Sequence, residues 1–408
     1  MIRTSKLSTK LINKNKSTKL DSFIVEYKKV VQYYIDYLWN KLDDNYNCSK
    51  FISTKDYESI ILSQRAIKCA STQACGIVKS NTEKARKLIW IIDKLKKENK
   101  DTFYFEQKLI NLKINKPEIK NNFNCELNSI CCDLMKRNGI WFLQLKSIGK
   151  NFGKIRIPIK PHRQTLKWLK QGKILNSFLI SNNYVNLRFE IKNELKKEGK
   201  IIGLDQGITS CITLSDGQIS VDDNHGWNLS KILSKLCKKK KGSKGFKRIQ
   251  ELRKNYINWS INQLNLSNIR QLNVEKLHDV RRNKKVDKFR SYWTYTLIMD
   301  KLKRYCEEQK VFVKEQCCVY RSQRCNVCGL VRKSQRKGKI YKCQCGYIGD
   351  SDLNASLNHE IELPEVGFIR QLNYNKVGFY WKIDGIYDLI GNQFTVGCTN
   401  KDKIIDFI

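Results

Sequence analysis

Lys200-Ile-Ile-Gly-Leu-Asp-Gln-Gly-Ile208 reads as a buried strand that ends on an acid. The run Ile201 to Leu204 is apolar or small, Asp205 follows it, and Gln206-Gly207 interrupts the pattern. Ile212-Thr213-Leu214 and the turn Ser215-Asp216-Gly217 then return as a hairpin, and a long basic helical stretch runs from about Leu229 to Leu264. A second acid-bearing strand is Asn273-Val-Glu275-Lys-Leu277. It is followed by an amphipathic helix from Tyr292 to about Lys310, with Leu297, Leu302 and Tyr305 apolar, and a strand from Val311 to Lys314. A third acid, Asp352, stands in Asp350-Ser-Asp-Leu-Asn-Ala355, where a helix begins.

Strand, hairpin, helix, strand, helix is the order of a ribonuclease H-like α/β layer. Upstream the patterns differ. Residues 1–20 alternate as a short strand, and from Asp21 the positions Phe23, Tyr27, Val30, Val31, Tyr34 and Leu38 follow a helical period, with Asp21 or Ser22 as N-cap. A second helix carries Ala66, Ile67, Ala70, Ala74, Ile77 and Val78; a third, around Lys84 to Glu98, carries Leu88, Ile91, Ile92 and Leu95. Between about residues 121 and 198, short β-type runs are separated by Gly149, Gly153, Gly172 and Asn182-Asn183. These predict a small barrel or open sheet, completed by the N-terminal strand and interrupted by the helices.

Lys and Arg number 78 against 39 Asp and Glu, a net charge of +39 over 408 residues. Surface ion pairs cannot balance such an excess, whereas a polyanion can, with counterion release supplying sequence-independent affinity. Basic residues cluster at Lys238, Lys239, Lys240, Lys241, Lys244, Lys247 and Arg248, and again at Arg332, Lys333, Arg336, Lys337 and Lys339. Nucleic acid is the expected partner. The Lys-, Asn- and Ile-rich composition also fits an AT-rich genome, which raises Lys without selection for binding. No segment approaches the roughly 18 apolar residues of a membrane span, and the Lys-studded start lacks a secretory leader's apolar segment. Most of the 16 cysteines are then reduced packing residues.

Asp205, Glu275 and Asp352, with Asp350 as the competitor for the third place, are candidate ligands for two Mg²⁺ ions roughly 4 Å apart, the arrangement that cleaves phosphodiesters. Hard Mg²⁺ takes carboxylate and phosphate oxygens. Cys325-x-x-Cys328 and Cys343-x-Cys345 supply four thiolates for a structural Zn²⁺, with Gly329 and Gly346 allowing the tight knuckle turns. The second pair is shorter than the usual Cys-x-x-Cys.

Together these residues resemble the TnpB family of transposon-encoded RNA-guided nucleases, related to compact type V CRISPR effectors and to Fanzor proteins. Gly203-Leu-Asp-Gln-Gly-Ile208 is similar to the first RuvC motif, Val274-Glu-Lys-Leu277 to the second, and Asp352-Leu-Asn-Ala-Ser-Leu-Asn358 to the third, where the family usually has Asp-x-Asn-Ala-Ala. Tyr320-Arg-Ser-Gln-Arg-Cys-Asn-Val-Cys-Gly329 resembles the run into the family's zinc knuckle. The order Asp, Glu, Asp separates the chain from cut-and-paste transposases, which usually order their acids Asp, Asp, Glu.

The resemblance implies a β-barrel WED domain (residues 1–20 and 121–198) interrupted by a helical REC insertion (21–120). It implies RuvC (199–320 and 348–365) with a zinc-bearing target-nucleic-acid-binding insert (321–347), leaving a tail (366–408) without assigned role. It further implies a guide RNA, a short motif beside a double-stranded DNA target, and Asp205, Glu275 and Asp352 as catalytic metal ligands. A guided repressor without catalysis, and a guide-independent nuclease or recombinase, are the alternatives. The expected location is cytoplasmic and nucleoid-associated in a prokaryote, nuclear or at a viral factory otherwise. The oligomeric state is not legible in the sequence.

Overall fold

The alternation of residues 2–8 produces strand β1 (Ile2–Ser8), with Ser5 and Leu7 buried. The structure is a computed structural model that describes residues 1–42, 52–120, 123–146, 148–149, 152–277, 287–364, 366 and 378–394. It comprises two units, Met1–Lys192 and Asn193–Ile408.

In the first unit α1 (Lys14–Asn40) begins two turns before the expected Asp21, capped by Asn13 Oδ1, which accepts from Lys16 N at 3.0 Å. The period misses this start because Lys14 to Lys19 contains no apolar residue; burial begins at Leu20. Helix α2 (Gln64–Lys97) is continuous where the pattern predicts two helices. Its apolar stripe is interrupted by buried Thr82, whose hydroxyl donates back to Lys79 O at 2.9 Å. After α3 (Phe103–Ile114) come β2 (Cys125–Asn128), β3 (Cys132–Arg137), β4 (Ile140–Leu145), β5 (Ile155–Ile159), α4 (Arg163–Gln171), β6 (Gly172–Ile180) and β7 (Tyr184–Ile191).

Strand β1 pairs antiparallel with β7, as the expectation that it joins the later strands requires. The barrel is a correction: among the described residues the pairings form two open sheets, β1-β7-β6-β2 and β3-β4-β5. Asn128 turns the chain between them, its Oδ1 accepting from Ile130 N and Cys131 N, so β3 leaves the first sheet. Phe23, Tyr27, Ala70, Ala74, Leu127, Ile157 and Leu187 bury one core shared by α1, α2 and both sheets.

The second unit contains β8 (Lys200–Asp205), β9 (Thr213–Leu214), α5 (Leu229–Cys237), α6 (Lys244–Asn262), β10 (Ile269–Glu275), α7 (Lys288–Ser291), α8 (Tyr295–Glu308) and β11 (Phe312–Gln316). The sheet order is β11-β10-β8-β9, with β10 parallel to both β8 and β11. The basic stretch is two helices rather than one, broken at Gly242 (φ 84°) and restarted by Ser243 as N-cap. Then follow β12 (Leu330–Val331), β13 (Arg336–Lys337), β14 (Ile340–Lys342), β15 (Ile348–Asp350), α9 (Ser351–Glu360), β16 (Phe379–Lys382), β17 (Gly385–Tyr387) and β18 (Gln393–Phe394). The last three extend β12 into a sheet, so residues 378–394 complete the cysteine segment. Trp381 N donates to Gly329 O at 2.9 Å, and Trp381 packs with Tyr320, Val331 and Phe379. No helix among the described residues is long and apolar enough to cross a membrane.

Candidate carboxylate site and metal centre

Parallel pairing of β8 with β10 matches Gly203 with Asn273 and Leu204 with Val274, so the strands end together on Asp205 and Glu275. Side chains of in-register parallel strands share a face. Helix α9 lies on that face. Gly203 permits the approach: a Cβ there would sit 2.0 Å from Ser356 O. Asn273 Nδ2, fully buried, donates to His359 O at 2.9 Å and ties β10 to the same helix.

The first turn of α9 brings Asp352 toward the pair. Asp350 is its N-cap, with Oδ1 accepting from Asp352 N at 2.8 Å and Leu353 N at 3.0 Å. Of the two acids at this end, Asp350 is thus engaged by the helix terminus. Asp352 forms ion pairs with Arg336 at 3.2 Å and Lys339 at 2.7 Å, and Lys339 Nζ also donates to Ser210 Oγ at 2.9 Å.

Burial, the charge of Glu275, a hydrogen bond with Glu275 and the charge of Asp352 push Asp205 well above the ordinary carboxylate range. Burial raises Glu275 as well, partly offset by that hydrogen bond and by Arg336. Two buried carboxylates in contact disfavour each other's ionisation. Buried polar atoms without hydrogen-bond partners gather at the same end of the sheet: both amide atoms of Gln206, Gln316 Oε1, and both ring nitrogens of His359. His359 Nε2 lies 3.4 Å from Glu275 Oε1. Burial and Arg321 lower His359 to about 3, so the ring is neutral. Oxygen donors, raised carboxyls and unmet polar groups fit a hydrated divalent cation. Among the described residues, however, only the cysteines bring three or more candidate ligand atoms within 4.8 Å of one another.

That cysteine cluster is Cys325, Cys328, Cys343 and Cys345. Sγ separations of 3.8 Å for Cys325–Cys345 and 3.5 Å for Cys328–Cys343 approach the roughly 3.8 Å edge of a tetrahedron with Zn–S near 2.3 Å. Cys343, on the shortened pair, is within the set. Burial pushes the Cys325 thiol up to about 11, a cost that ligation of a cation reverses. Gly329 and Gly346 adopt φ of 81° and 91°, as the knuckle turns require. Around the sulfurs, Gln335 Nε2 donates to Cys343 Sγ at 3.1 Å, and Tyr341 Oη lies 2.7 Å from Gln335 Oε1.

Sequence reasoning missed how the cysteine segment is joined to α9. Asn358 Nδ2 donates to Arg324 O at 2.7 Å and Arg321 O at 3.1 Å, Asn354 Nδ2 donates to Arg324 O at 2.8 Å, and Asn354 Oδ1 accepts from Asn326 N at 3.0 Å. Buried Arg321 bonds Cys317 O, Asn358 O and Ile361 O, and burial lowers it to about 10. The signal was present as Asn354 and Asn358 one helical turn apart. Of the predicted basic residues, Lys238 to Lys241, Lys244, Lys247, Arg248, Lys333 and Lys337 are exposed. Arg332 meets Gln344 Oε1 at 3.2 Å, and Arg336 faces Asp352.

Residues 295–359, from α8 through β11 and the four cysteines to α9, match the family model described as Cas12f1-like, TNB domain. That segment is Cas12f1-like. The likeness extends to the fold: the structure of a Cas12f1–sgRNA–target DNA complex aligns with a TM-score of 0.51 at 13% identity, covering 85% of this chain and 82% of the other. That of the mini-RNA-guided endonuclease CRISPR-Cas_phi3 aligns at 0.47 and 10% identity over 88% and 92%. No curated protein matches this chain.

Proposed function

We propose that this chain is an RNA-guided DNA endonuclease. It binds a guide RNA, recognises a short motif beside a double-stranded DNA target, and hydrolyses DNA strands at a RuvC centre. The observation that carries the reading is the convergence of Asp205 and Glu275 on adjacent strand ends beneath Asp352, with carboxyls raised by burial and by one another. It is supported by the Cas12f1-like TNB segment and by the excess of Lys and Arg. In this reading residues 1–20 and 121–198 serve as WED, 21–120 as REC, 199–320 and 348–365 as RuvC, and 321–347 as the zinc-bearing insert.

Asp205, Glu275 and Asp352 would hold two Mg²⁺ ions, and the four cysteines a structural Zn²⁺. When bound, Mg²⁺ supplies an activated water and charge on the leaving oxygen. The chain's own part is to position. The rigid ends of β8 and β10 hold two carboxylates, α9 presents the third, and a bound cation would stabilise the ionised pair that burial disfavours. Arg336 and Lys339 then exchange their contact with Asp352 for phosphate. Lys238 to Lys241, Lys244, Lys247, Arg248, Lys333 and Lys337 lie exposed for backbone contacts. Base pairing with the guide supplies sequence selection.

The test is plasmid cleavage with the cognate RNA, Mg²⁺ and a library of flanking motifs. Wild type should cut and Asp205→Ala and Glu275→Ala should lose at least about a hundredfold in rate, as loss of a principal electrostatic element does. Cleavage by both variants at the wild-type rate would overturn the assignment, and cutting without RNA would favour the guide-independent nuclease.

A further inference from the structure

His359 is buried completely in the last turn of α9, with Nε2 3.4 Å from Glu275 Oε1. Its neighbours on that helix are bonded: Asn358 Nδ2 serves Arg321 O, Arg324 O and Asn354 O, and the carbonyl of His359 itself accepts from Asn273. The ring is the exception, with neither nitrogen hydrogen-bonded. A buried, unsatisfied polar group costs stability, and an unmet N–H is rarer than an unmet acceptor. A leucine would occupy the position without that cost. The acceptor beside Nε2 is the Glu275 carboxylate, so the proton of the neutral ring belongs on Nε2 and Nδ1 keeps its lone pair. The separation is within bonding range but out of line.

We propose that His359 is a positioning residue for Glu275, its Nε2–H holding one carboxylate oxygen so that Glu275 and Asp205 meet a divalent cation in a single orientation. This rests on the reading of the acids as a metal site. Orienting partners of metal ligands commonly change metal affinity by about 10–100-fold. The position lies outside the three acid motifs, and only packing of α9 on β10 brings it to Glu275.

The experiment measures Mn²⁺ binding to the zinc-loaded full chain by electron paramagnetic resonance, and in parallel the Mg²⁺ concentration for half-maximal plasmid cleavage. His359→Leu removes both orphaned nitrogens, so its Tm should equal or exceed that of wild type while Mn²⁺ affinity falls about tenfold. His359→Gln, which retains a donor, should recover most of that loss. Wild-type Mn²⁺ affinity in His359→Leu, or equal losses in both variants accompanied by a lowered Tm, would overturn the proposal. Asp205→Asn separates the two levels. If it also leaves Mn²⁺ binding intact, the metal reading has failed; if it alone abolishes binding, only the positioning role has.

Discussion

Replacing Gly203 with alanine tests whether the close seating of α9 on β8 assembles the site. The added Cβ would lie 2.0 Å from Ser356 O, 2.4 Å from Glu360 N and 2.8 Å from His359 C. All three are backbone atoms, so no side chain can swing aside. Bringing the first contact to even 3.0 Å requires a shift of about 1 Å between helix and strand. Overpacking of this kind costs about 1–3 kcal/mol and here should reach the upper end. For a unit of about 200 residues, about 3 kcal/mol lowers Tm by roughly 6–12 °C. The same shift moves Asp352 relative to Asp205 and Glu275, and a 1 Å misplacement can reduce cleavage by about a hundredfold. Calorimetry and single-turnover cleavage read the two effects, with Gly76→Ala as the control. That glycine lies within α2 with nothing inside 4 Å, so alanine should leave cleavage unchanged and raise stability by up to about 1 kcal/mol. Wild-type melting and cleavage in Gly203→Ala would refute the seating of α9 on β8 and the argument built on it.

Asp350→Ala should cost about 1 kcal/mol in stability through loss of the α9 cap while retaining measurable cleavage, whereas Asp352→Asn should abolish cleavage with little change in Tm; the reverse pattern would make Asp350 the third acid. The raised carboxyls of Asp205 and Glu275 predict a pH effect in Mg²⁺-free, zinc-loaded protein. Because the folded state binds more protons than the unfolded state, their contribution is fully present below the ordinary carboxylate pKa and is lost as pH rises through the raised folded values. Asp205→Asn should therefore be more stable than wild type at pH 8 and lose that advantage in acid, measured by denaturant titration at each pH; a pH-independent difference would count against the raised carboxyls.

The acid-bearing motifs and the cysteine spacing were legible because each depends on a few consecutive residues. An apolar run before Asp205 makes a buried strand, and two short cysteine pairs with glycines make knuckle turns. The start of α1 was hidden because its first two turns are polar and their cap, Asn13, stabilises by one local hydrogen bond rather than by periodicity. The break between α5 and α6 was obscured by lysines that suit helix and bend alike. Residues 378–394 gain a structural role through pairing with a two-residue strand, too short to mark itself. By itself, then, the sequence determined the chemistry available: three strand- or helix-end carboxylates, four thiolates and an excess of cations. Only the tertiary structure decided their company. It set Asp205 against Glu275, put Asp350 into a cap and Asp352 against Arg336 and Lys339, and brought His359 under Glu275, because these contacts depend on helix α9 packing across a parallel strand pair far away in the chain.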